Sequence, residues 1–152
     1  MGVPIEQQMR SCEEKHSEGE KCYYHSLPDY YEVYNLNPIG FDTQVFVKTI
    51  NGNVSYFHMS FDNKNMEALQ DMMIAGYGKP IFVRNEEGQT ALGGKYVKTT
   101  LFWRTNGCDM WLTNIEKYVN KGAVVIETLE YSQYRTREET ERSMKQFENL
   151  VK

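Results

Sequence analysis

The sequence predicts an α+β protein, with one antiparallel sheet of about six strands and helices packed on one face. Three observations carry that prediction. Asn-Gly pairs at 51–52 and 106–107 each sit between segments of alternating apolar character, as in tight hairpins whose two central residues must accept positive φ. Met66, Leu69, Met73 and Tyr77 recur at helical spacing, and Gly76, Gly78 and Pro80 supply stop signals. Thr136-Arg137-Glu138-Glu139 has the form of a capping box ahead of a final helical stripe, Met144, Phe147, Leu150 and Val151. A chain of 152 residues suits one core, so residues 1–152 are expected to form a single domain. The element order also admits two loosely repeated halves, each a helix plus three strands.

In chain order, residues 4–16 read as a first helix, with Pro4 in its first turn and Ile5, Met9, Cys12 and His16 on one face. Two short strands follow at 22–25 and 30–34, separated by Pro28. Residues 44–50 and 54–61 flank Asn51-Gly52, so Phe57, Met59 and Phe61 face the core and His58 faces the wetter side. The second helix is placed at about 64–76. Past Pro80, residues 81–84 form a strand and the polar, glycine-bearing 85–95 a mobile loop. A meander then joins 96–104, 108–115 and 123–131. Trp103 and Trp111 are expected as core or near-core partners across the Asn106-Gly107 hairpin. Pairing about that turn sets Arg104 opposite Asp109 and Trp103 near Met110, so the partnership requires a register shift or a bulge, without which the two face opposite sides.

Composition excludes several functions. A net charge of -4 and a pI near 5.4 argue against a phosphate-backbone binder, so no nucleic-acid partner is expected. Mean hydropathy is -0.64 and no long apolar run occurs, so no transmembrane segment is expected. Gly88 to Lys95 fails the spacing of a phosphate loop, and Asp62 to Glu67 lacks the alternating acidic ligands and central glycine of a calcium loop.

The densest chemistry lies in Cys12, His16, Cys22 and His25, two of the three cysteines and two of the three histidines. All four are zinc-ligand types, spaced Cys-x3-His-x5-Cys-x2-His. A disulfide between Cys12 and Cys22, free buried thiols and a zinc site are the three alternatives; apart from that zinc, no cofactor is expected. Five of the eleven tyrosines, Tyr23, Tyr24, Tyr30, Tyr31 and Tyr34, form a candidate binding surface for a protein partner, since tyrosine offers large, stiff, amphipathic contact area. No histidine has a recognisable orienting group, so no catalytic residue is assigned.

The helix at 66–74, the Tyr77-Gly78-Lys79-Pro80 run, the strand after it, Trp103 with its hairpin and the strand at 124–131 resemble small, uncharacterised exported bacterial α+β domains. The resemblance covers about half of the chain. It implies a periplasmic or lipoprotein-type protein without enzyme activity. Met1 to Glu6 lacks a signal-peptide pattern, so export requires that a leader was removed, and a cytoplasmic protein is the alternative. The expected function is a non-catalytic, exported domain that recognises a protein partner through an exposed sheet face or the Tyr-rich segment. One competing reading is an enzyme or small-ligand carrier with a pocket between sheet and helices, with zinc at the Cys/His set. Another is a cytosolic immunity or inhibitor protein, whose acidic charge would suit a basic nuclease or toxin.

Overall fold

The computed structural model describes residues 4–7, 9–12, 21–34 and 43–150. Its strands are β1 (Arg10–Ser11), β2 (Cys22–Leu27), β3 (Tyr30–Tyr34), β4 (Gln44–Ile50), β5 (Asn53–Asp62), β6 (Phe82–Gln89), β7 (Lys95–Arg104), β8 (Cys108–Thr113) and β9 (Lys121–Thr128). The helices are α1 (Met66–Tyr77) and α2 (Leu129–Leu150). Among the described residues, all nine strands join one sheet in the order β1-β2-β3-β4-β5-β9-β8-β7-β6. Every neighbouring pair is antiparallel except the short β1, which runs parallel to β2.

The α+β class and the antiparallel sheet therefore match the sequence reading. Nine strands replace about six, because β1, β2 and β3 extend the same sheet. Two four-stranded meanders, β2 to β5 and β6 to β9, are each followed by a helix and meet where β5 pairs with β9. The repeat is thus four strands followed by a helix, not a helix followed by three strands.

Strand alternation builds the core. Met59 and Phe61 point inward with Val45, Val47, Leu101, Trp103, Met110, Leu112 and Val124, Phe57 packs against them, and α1 lays Leu69 and Met73 across this face. Trp103 is 2 % exposed, and its indole N–H donates to the Gly78 carbonyl at 2.8 Å, so the one polar atom of a large apolar group is satisfied. Gly122 has no substitute, because the Phe61 ring and the Thr113 carbonyl fill the space a Cβ would need. Asn51 (φ 53°) and Gly52 (φ 77°) turn the first hairpin as its composition requires. The second hairpin has the expected register, Arg104 opposite Asp109 and Trp103 opposite Met110, with no bulge, so Trp111 faces away from Trp103 and the two are not the expected core partners. Its turn also differs from the expectation, since Asn106 and Gly107 do not take positive φ.

Four local expectations are corrected. Within 4–16, the described residues form a 3-10 turn at Ile5–Gln7 and strand β1 instead of a helix. Ile5 and Met9 still reach the core, but the Cys12 N–H donates to the Tyr23 carbonyl at 2.8 Å and ties this segment to the sheet edge. The polar run 85–89 belongs to β6 and is not a loop; both sides of that strand face water, so it lacks the alternation that marks a half-buried strand. Helix α2 starts at Leu129, not after Thr136, because the Thr128 hydroxyl accepts the Tyr131 N–H at 3.1 Å and caps the helix there. The two helices also do not share a face: α1 covers the core side, whereas Tyr131 of α2 packs with its ring tilted 35° and centred 4.9 Å from that of Tyr56, on the other side.

Candidate binding face of the sheet

The face opposite α1 is organised as cross-strand rows. Register places Tyr30, Lys48, Tyr56, Glu127, Asp109 and Arg104 side by side on β3, β4, β5, β9, β8 and β7. The adjacent row holds Phe46, His58, Val125, Trp111, Phe102 and Phe82. Residues directly opposite on antiparallel strands share a face, so the ladder alone makes one charged row beside one aromatic row.

Lys48 is the centre of the first row. Its ammonium lies 5.8 Å from the Tyr30 ring, 5.6 Å from Tyr56 and 5.8 Å from Tyr131, a cation held among three aromatic faces. Two pockets open on either side of it. One, of about 370 Å³, is lined by Lys48, Tyr56, Trp111, Glu127, Tyr131 and Arg135. The other, of about 470 Å³, is lined by Pro28, Asp29, Tyr30, Lys48, Tyr131 and Tyr134 among others.

The acidic members of the row are buried and paired. Asp109 takes a two-pronged contact from Arg104 at 2.6 and 2.7 Å, and Glu127 accepts from Arg135 at 3.2 Å. Burial alone would lower the Arg135 pKa, but the Glu127 carboxylate, together with Glu139 and Tyr131, outweighs it and holds the guanidinium above its ordinary value. Burial, reinforced by Tyr131, Glu116 and Glu127, pushes the Tyr56 hydroxyl up to about 12, so it stays a neutral donor at physiological pH.

The five tyrosines singled out from sequence do not form one surface. Tyr23 and Tyr31 meet edge to face at 5.4 Å on the core side, where Tyr31 is buried. Tyr24, Tyr30 and Tyr34 leave the opposite side of the same strands. Tyr34 bonds Glu32, and burial together with that bond pushes its hydroxyl up to about 12. Tyr30 alone of the five joins the Lys48 cluster. Sequence reasoning missed Lys48, Tyr56, Tyr131 and Arg135: a register shift between Lys48 and Thr49 hides the Lys48–Tyr56 pairing, and reading 123–131 as strand conceals the helical i, i+4 relation of Tyr131 and Arg135.

Cys12 and Cys22 sit at disulfide bonding distance with Cα atoms 5.0 Å apart, and Cys108 is free and half-buried. His25, three positions after Cys22, points to the other face of β2 and stacks 4.9 Å from Tyr31. The described members of the Cys12, His16, Cys22 and His25 set are therefore not assembled around a common point; His16 lies outside the described residues. Among the described residues no three His, Cys, Asp or Glu side chains cluster as a metal site.

His58 occupies the expected face but is half-buried instead of open to solvent, with Nε2 2.6 Å from Glu116 Oε1 and Ser60 Oγ donating to the other carboxylate oxygen at 3.4 Å. Its Nδ1 is buried and has no hydrogen-bond partner among the described residues. Among the described residues no helix is long and apolar enough to cross a membrane. Compared with family models, curated proteins and solved structures, the chain finds no match in any of the three.

Proposed function

We propose that the chain is a non-catalytic binding domain that recognises a protein partner through the open face of its sheet, with Lys48, Tyr30 and Tyr56 at the centre and the buried Tyr131 supporting them from beneath. The observation that supports this reading is the Lys48 cluster itself. Tyrosine, tryptophan and arginine are the side chains that dominate protein recognition sites, and here Tyr30, Tyr56, Tyr131, Trp111 and Arg135 line pockets on both sides of one cation. Tyrosine and tryptophan lose little side-chain entropy when a partner covers them, so such a face is prepared for contact. The Cys12–Cys22 pair at bonding distance supports placing the protein in an oxidising, exported compartment such as the periplasm.

The enzyme reading draws on one observation, the His58–Glu116 pair. A carboxylate-oriented imidazole acts as a base through its other nitrogen, and here that nitrogen is enclosed. The surface reading is tested by a photo-crosslinking amino acid placed at Trp111, with one at Met144 on the exposed part of α2 as the comparison. The expected result is one saturable adduct with a single protein from Trp111 and none from Met144. Equal adducts from both positions, or a turnover lost in a folded His58→Gln variant, would reject it.

A further inference from the structure

We propose that β6 is a dimerisation edge, by which two copies of the chain pair antiparallel about Asn85 and extend the sheet across a two-fold axis. Strand β6 ends the sheet order, and among the described residues nothing pairs with its outer side. The β6–β7 ribbon carries a concentration of exposed apolar groups, with Ile81, Phe82, Val83, Leu92 and Val97 all open to solvent. A long edge strand with free backbone groups and apolar side chains is a template for another strand, and natural edges are normally blunted by lysine, proline or a cover. Within 82–89 there is no lysine and no proline, and the charges the strand does carry, Arg84, Glu86 and Glu87, are of both signs and so do not simply repel a second copy.

The direction of the backbone groups can be read from the turn. Thr90 N–H donates to the Gly94 carbonyl at 2.8 Å, which makes residues 90 and 94 a hydrogen-bonded pair. Alternation then directs the N–H and C=O of Arg84, Glu86 and Gly88 toward β7 and those of Val83, Asn85 and Glu87 outward. Three consecutive outward residues of this kind are what a second strand needs.

Charge selects both the occupant and the register. A two-fold axis at Asn85 sets Arg84 opposite Glu86 of the second copy, and Glu86 opposite its Arg84, on one face. Shifting the axis to Arg84 or Glu86 places like charges directly opposite, which destabilises antiparallel pairs. The same Asn85 register brings Phe82 over Gly88 of the second copy, the glycine whose Cβ space the Tyr96 ring already overlaps, so the two aromatic rings meet there. Arg84 and Glu86 are 3.0 Å apart within one chain and both largely exposed, so each is able to serve the second copy. The sequence of this edge is therefore complementary to itself.

The test is light-scattering mass of the full chain against concentration, with Arg84→Glu, Glu86→Arg and an equimolar mixture of the two variants. The native chain is expected at twice 17.8 kDa. Each single variant, its fold checked by circular dichroism, is expected to weaken association by roughly tenfold or more, because it sets like charges opposite each other across the axis. The mixture is expected to restore association, since the acid introduced in one variant then faces the base introduced in the other. A mass of 17.8 kDa at all concentrations to about 1 mM overturns the proposal. So does a dimer that both single variants leave unchanged.

Discussion

Asp109 on β8 and Glu127 on β9 lie directly opposite each other in the sheet, two buried carboxylates of like charge, each held by a different arginine. Such a pair persists only while both arginines remain, because an uncompensated buried carboxylate is strongly disfavoured. Arg135 comes from α2, so this ion pair also fastens the start of that helix to the binding face.

Arg135→Gln is therefore expected to destabilise the fold by about 1–2 kcal/mol, below the cost of breaking a fully buried pair because the guanidinium is half-exposed. Adding Glu127→Gln should recover part of that loss, since an amide is cheaper to bury than an unpaired charge. Urea unfolding of the four members of this double-mutant cycle checks both statements, and an Arg135→Gln midpoint equal to the native one would refute them.

Trp103→Ala is expected to cost about 3–5 kcal/mol, the range for emptying a large buried aromatic site. Trp111→Ala should cost clearly less, because Trp111 is only partly buried. The same contrast should appear in fluorescence: in Trp103→Phe the remaining Trp111 emission is open to iodide quenching, and in Trp111→Phe the remaining Trp103 emission is protected.

Thiol titration of the unreduced, denatured chain should find one reactive cysteine, Cys108, rising to three after reduction. With a sequence separation of 10, reduction should lower stability by about 2–3 kcal/mol in the chain-entropy account. Three thiols before reduction would contradict the pairing.

The raised hydroxyl of Tyr56 has a definite pH signature. A tyrosine held at about 12 when folded keeps its proton between pH 10 and 12, where the unfolded chain has lost it, so stability is full below pH 10 and falls as pH rises through that window. Tyr56→Phe should flatten this decline and remove one step from the late part of the phenolate absorbance titration. An unchanged late phase would show that Tyr56 is not the group responsible.

How far the sequence reaches is clear from individual residues. Asn51-Gly52 determines its hairpin because turn geometry is local, whereas Asn106-Gly107 marks the second turn without taking positive φ; the Arg104–Asp109 and Trp103–Met110 oppositions still follow from it by counting. Leu69 and Met73 reveal α1 because a stripe at helical spacing needs a core to bury it. Ile5 and Met9 show the same spacing yet reach the core from a 3-10 turn and a bend, since Cys12 is tied to β2 from the other side. Residues 85–89 lack periodicity because neither face of β6 is buried. The Lys48 cluster is the least legible part: it needs β3, β4, β5 and α2 at once, and a one-residue shift at Lys48 and Thr49 separates its local pattern from its partners.

The Lys48 face is tested most directly by calorimetric affinity of the crosslinked partner, once purified, for folded Lys48→Glu, Tyr56→Ser and Tyr30→Ser variants beside Tyr23→Ser on the core side and Met144→Ser on α2. Residues at the centre of a recognition surface carry most of its free energy, so the first three variants should each weaken binding by roughly 30-fold or more and the last two by less than about threefold. Native affinity in all three Lys48-cluster variants would show that the partner is bound elsewhere and that the open face of the sheet is not the recognition surface.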